Sequence, residues 1–143
     1  MLRIFLSMGL AAMSLSASDG DGRSCSDETL KGSYGFIIGG IRPSGPPPAP
    51  LEQIIGVALT TFDGHGNFTQ IDNIHGSISP LWPDRPGMGT YSIKQDCTGT
   101  MTLLNSGGPP LELRIVVVDK GREIRVAVMS PAAALVTSNG RKI

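Results

Sequence analysis

Charge is scarce in this chain and has no net sign. Lysine plus arginine number 12, aspartate plus glutamate number 12, and charged residues are 17% of the 143. A protein that grips nucleic acid through its phosphates needs a surplus of basic residues to displace counterions, so that class is excluded. Aromatics are also few, at 5% with one tryptophan. A glycosidase sets two carboxylates across the scissile bond, but Glu52, Glu112 and Glu123 are scattered near strand ends with little aromatic surface beside them. Only two cysteines and two histidines occur. Cys25, Cys97, His65 and His75 match no zinc-ligand spacing, and Asp63 with Asn67 supplies too few oxygens for a calcium loop. Nucleotide-binding glycine loops and the Gly-x-Ser-x-Gly elbow are missing. The reading is of a protein without metal or cofactor. Long apolar runs are missing beyond the first 20 residues, which excludes a polytopic helical membrane protein.

That first run is informative. Arg3 precedes a nearly unbroken apolar stretch from Ile4 to Leu15, followed by small residues. A basic start, about a dozen apolar residues and a small-residue exit describe a secretory signal, and the run is too short for a membrane span. A signal peptide is expected over 1–17, a flexible leader over 18–24 and one domain over 25–143. The expected location is secreted or periplasmic, with no membrane span after cleavage; an uncleaved N-terminal anchor is the competing reading. In an oxidising compartment Cys25 and Cys97 can pair.

Beyond Thr29 no segment repeats apolar residues with helical spacing. Short runs rich in β-branched residues alternate with turn formers; the chain holds 19 glycines and 11 prolines. The pattern predicts strands near 32–41, 53–62, 67–78, 88–95, 98–105, 111–119, 122–130 and 133–138. Eight antiparallel strands in so short a chain must deal with their edges. An all-β, eight-stranded up-and-down barrel removes them, and a β-sandwich is the alternative. In an up-and-down chain every proline falls in a connection at one end, the top. Cys25 and Cys97 both fall at the other, where the turns are compact. A bridge between them is therefore allowed by the topology. Strands two and six are apolar on both faces, which leaves the lumenal face undecided.

Three stretches carry a resemblance: Cys25-Ser-Asp-Glu-Thr-Leu-Lys-Gly-Ser-Tyr34-Gly-Phe36, Thr61 to Asn67, and Gly89 to Thr100. They resemble a family of small secreted bacterial proteins of unassigned function and, more distantly, barrels of the calycin and allene oxide cyclase type. The distant likeness implies a barrel that binds or cyclises a small apolar molecule, but no cyclase catalytic residue maps onto this chain.

The long top loops are where a rigid barrel would bind. Trp82 lies between prolines there; it either covers a cavity or caps the barrel's own core. Arg85, beside Asp84, suits either a carboxylate ligand or a surface ion pair. Tyr34, Phe36 and Met88 complete the candidate ligand contacts. His75 is a weak acid–base candidate, because Asp72, three residues earlier, points to the opposite face of a regular strand. The leading expectation is a non-enzymatic binder of a small apolar molecule. An isomerase or cyclase acting in the cavity, and a structural envelope protein that packs against copies of itself, are the alternatives.

Overall fold

A computed structural model describes residues 24–143; the expected signal segment and all but the last residue of the leader lie outside them. The chain forms β1 (Gly32–Pro43), β2 (Leu51–Phe62), β3 (Asn67–Gly76), β4 (Trp82–Ile93), β5 (Thr98–Asn105), β6 (Leu111–Val118), β7 (Glu123–Ser130) and β8 (Leu135–Lys142). They close into an up-and-down antiparallel barrel in chain order. The closing ladder runs from Tyr34 opposite Lys142 to Ile41 opposite Leu135. The barrel expectation holds and the sandwich alternative falls, because no sheet edge is left open.

Two strands differ from their predicted extents by more than two residues. β4 starts at Trp82, not near 88, although Pro83 and Pro86 read as loop residues. The ladder with β3 pairs Ile71 with Pro86 and Asp72 with Arg85, then shifts register before Ile74 and Trp82. Asp84 sits at this irregularity with φ 49°, and Asn73 holds it by exchanging two hydrogen bonds of 3.0 and 3.2 Å. Proline is tolerated where a strand bulges and its N–H is not needed. β8 runs to Lys142, past the predicted end at 138. Its polar stretch Thr137-Ser138-Asn139 reads as a turn in isolation, but it is paired on both sides by β1 and β7.

The pleat then sorts side chains strictly. On β2 alternate residues from Glu52 to Phe62 face inward and those from Leu51 to Thr61 outward. The inward set of all strands makes one core. Phe62 sits at its centre, with Tyr34, Tyr91 and Phe68 at centroid distances of 5.4, 5.0 and 5.6 Å. The first two contacts are edge-to-face, the arrangement that ring quadrupoles favour. Met101, Leu103, Leu113, Ile115, Val117, Ile124 and Val126 fill the space around them. Room for the rings comes from missing side chains: a Cβ on Gly140 would lie 2.5 Å from the Phe36 ring.

The bottom is plugged by the segment before β1. A 3-10 turn over Asp27–Leu30 places Leu30, fully buried, under the aromatic core. Asp27 ties the plug to β4: its Oδ1 accepts from the Ile93 N–H at 2.6 Å and its carbonyl from the Tyr91 hydroxyl at 2.9 Å. The Tyr34 hydroxyl donates to the Gly121 carbonyl in the β6–β7 turn. Gly121 has φ +83°, and a Cβ there would lie 2.7 Å from the Thr29 carbonyl, so this contact requires glycine. Burial, and to a lesser extent the nearby Tyr91, push the Tyr34 hydroxyl up to about 12. Cys25 and Cys97 form a disulfide with Cα atoms 5.0 Å apart, joining the plug to the β4–β5 turn.

The bridge spans a sequence separation of 72, and closing so long a loop removes denatured-state entropy equivalent to about 4 kcal/mol. Cys97→Ala should lower unfolding stability by that order in urea titration. Reduced wild type should match the variant. Equal midpoints for oxidised wild type and variant would show that the plug holds without the bridge.

Candidate functional site

Above the aromatic core the lumen changes character. Thr60, Gln70, Asp72 and Arg85 face inward from β2, β3 and β4 and form a polar relay. Thr60 donates to Gln70 Oε1 at 3.0 Å, and Gln70 Nε2 donates to Asp72 Oδ2 at 3.1 Å. Arg85 grips Asp72 with Nε and Nη2, each at 2.9 Å. Asp72 is 2% exposed, and the bidentate guanidinium together with Gln70 satisfies its buried oxygens. The Asp84–Arg85 surface pair expected from sequence does not form; Arg85 turns inward to Asp72, and Asp84 is held by Asn73.

A second buried carboxylate anchors the top. Glu52, also 2% exposed, accepts from the Ser79 hydroxyl at 2.6 Å, from the N–H groups of Ser79 and Ile78 at 2.8 and 3.1 Å, and from Arg42 Nε at 3.1 Å. Burial works against its charge, but the bonds from Ser79, Ile78 and Arg42 outweigh it and hold the carboxyl down to about 2. Glu52 thus pins the β3–β4 connection to the start of β2. Both buried carboxylates have their oxygens occupied by cationic and neutral donors. Glu52, held in this way, stays ionised near neutral pH.

The sequence-predicted contacts do not converge. Tyr34 and Phe36 lie in the lower core. His75 is exposed on the outer face opposite Ile55, on the other side of the wall from Asp72. Met88 also points outward, 62% exposed. Arg85 and Trp82 share the rim of β4. The register shift after Asp72 puts Trp82 opposite the inward-facing Ile74, and its ring packs over Gly107 of the β5–β6 loop, 3.4 Å from where a Cβ would stand. At the end of β5, beside Gly87 of β4, Asn105 Oδ1 is a buried side-chain acceptor without a partner among the described residues.

The outer wall holds the larger signal, and it concerns which strands carry charge. Ile37, Ile55, Val57, Leu59, Ile71, Met88 and Leu104 face outward, between 47% and 68% exposed. They are neighbours by register: Ile37 faces Val57, Leu59 faces Ile71, and Met88 faces Leu104. The outward positions of β1 to β5 carry no lysine, arginine or glutamate; Asp84, held by Asn73, is their one acid. The outward positions of β6 to β8 carry Glu112, Arg114, Glu123, Arg125 and Arg141. Sequence reasoning passed over this division. Its signal was present in the doubly apolar strands, but it becomes readable only when the lumenal parity of every strand is known.

No protein-family model matches the chain, and no curated protein or solved structure matches it. Among the described residues no cluster of His, Cys, Asp and Glu is arranged to hold a metal ion.

Glu52 makes stability depend on acid. Its carboxyl is held at about 2 in the folded state against an ordinary 4.5, so its contribution is complete above about 4.5 and is lost as pH falls toward about 2. Glu52→Gln should lower stability by roughly 1–3 kcal/mol at neutral pH. It should also flatten the decline of the urea midpoint across that window relative to wild type. Parallel midpoint curves for the two proteins would remove Glu52 from the acid response.

Proposed function

We propose that this is a non-catalytic structural barrel that works by association with copies of itself through the uncharged outer wall of β1 to β5. One observation carries the reading: apolar side chains face solvent across five adjacent strands, where Asp84 is the one outward charge, while the other outward charges of the strands lie on the remaining three. Seven large apolar side chains on adjoining strands are each between 47% and 68% exposed, whereas exposed apolar residues on a monomer are ordinarily scattered singly, and clustered ones mark an interaction surface.

The occupant follows from charge. A charged partner would leave its groups unpaired against this wall, at a desolvation cost that nothing here offsets. The charged β6–β8 face is excluded as a counterpart for the same reason, so the wall meets the same wall on a second copy. Such a contact is isologous and closes at two. A lipid bilayer fits poorly. A barrel that spans lipid is apolar all round its outside, whereas this one has a packed apolar core and carries charges on three of its outer strands. No described helix is long and apolar enough to cross a membrane. A disulfide-closed barrel together with the expected signal supports a secreted or periplasmic location.

A second reading keeps the small molecule expected from sequence, at the rim. The unpartnered Asn105 Oδ1 and the half-exposed Trp82 ring favour it. A ligand there would change the fluorescence of the single tryptophan, and Trp82→Phe should weaken its binding without altering assembly.

Sedimentation velocity over a concentration series tests the main reading. Wild type should pass from monomer to dimer, and Val57→Lys, a change at an outward position in the middle of the patch, should stay monomeric with an unchanged melting temperature. A wild type that remains monomeric throughout would overturn it.

A further inference from the structure

The charged side of the barrel holds a concave feature that self-association does not use. On the outer face of β6, β7 and β8 the registers lay down two rows. One row is Val116, Arg125 and Asn139; the next is Arg114, Ala127 and Thr137. Ala127 is the small member of its row, and over it lies a hollow of about 410 Å³. It is shallow and open to solvent, and Val116, Ala127 and the edge of Val126 line it together with Arg114, Arg125, Thr137 and Asn139. The β7–β8 ladder ends at Ala127 opposite Thr137, and the β6–β7 ladder slips register just above, between Glu112 and Leu113.

The two arginines differ in their commitments. Arg125 donates to Glu123 at 2.8 Å and to Asn139 at 3.4 Å, which holds it against the wall. Arg114 makes no hydrogen bond or ion pair with any described residue. Its nearest acid along the face of its own strand is Glu112, which accepts from Thr102 on the far side at 2.9 Å. A guanidinium left free beside an apolar hollow offers a planar fork for an anionic head and a dry surface for an alkyl chain.

We propose that this hollow binds a small amphipathic anion, a single short alkyl chain ending in a carboxylate or phosphate, with its head on Arg114 and its chain over Ala127. Thr137 and Asn139 supply further polar contacts at the head. The proposal is independent of the uncharged wall, because the hollow lies on the three strands that carry the wall's charges.

Amide chemical-shift titration of the protein tests it, with octanoate and octyl phosphate as probes and 1-octanol as the uncharged control. The two anions should shift resonances around Arg114, Ala127 and Thr137, and whichever binds tighter identifies the head group. 1-Octanol should bind at least tenfold more weakly. Arg114→Gln should weaken anion binding about tenfold, the loss of one charge-assisted contact. Ala127→Leu, which fills the hollow from an outward position, should abolish it, with the wild-type spectrum retained elsewhere. Absence of anion binding would overturn the proposal. So would octanol binding as tight as octanoate, shifts confined to β1–β5, or full affinity in both folded variants.

Discussion

The ladder between β1 and β8 gives this protein an inside. Before it forms, the sheet has two open edges, and strands such as β2 and β6 offer apolar side chains on both faces with nothing to distinguish them. When Tyr34 comes opposite Lys142 and Ile41 opposite Leu135, the pleat of every strand acquires a lumenal side. The same alternation that buries Phe36, Phe62, Phe68, Tyr91 and Ile115 then obliges Ile37, Ile55, Val57 and Ile71 to face outward. The plug, the polar rim and the exposed wall all follow from that one closure.

Within the closed barrel the two ends are stabilised by different means. The bottom relies on apolar packing, tyrosine hydroxyls bonded to turn carbonyls, and a disulfide that ties the leading segment down. The top relies on buried ion pairs. Asp72 with Arg85, and Glu52 with Arg42 and Ser79, are satisfied by fixed geometry and not by water. Such pairs add little net stability compared with well-packed apolar residues, but they penalise any register that separates the partners. Their placement ties β2, β3 and β4 together at the end where the connections are longest. The oxygens of both carboxylates are thereby taken up in holding strands and connections together.

Much of the fold was legible before any coordinates. Turn formers between β-branched runs marked eight strands, and proline placement distinguished the two ends. The positions of Cys25 and Cys97 at the same end anticipated their bridge. The failures have physical causes. Prolines hid the start of β4 because their tolerance at a bulge depends on a partner strand. The polar run of β8 hid its continuation because both its neighbours come from distant parts of the chain. The site was less legible than the fold. Asp72 was read against His75 along one strand, whereas its partner is Arg85 across the ladder. Glu52 appeared as one scattered carboxylate among three.

Local chemistry along the chain was enough to establish an all-β protein with no metal-binding pattern, no excess of charge and one end richer in loops, because turn propensity, charge count and ligand spacing are properties of neighbouring residues. Which face of each strand is buried, which carboxylate meets which arginine, and the division of the wall into five strands with a single outward acid and three that carry the remaining charges were settled only by folding. Those outcomes depend on pairings between residues far apart in sequence, and on a ring closure that gives alternation its direction.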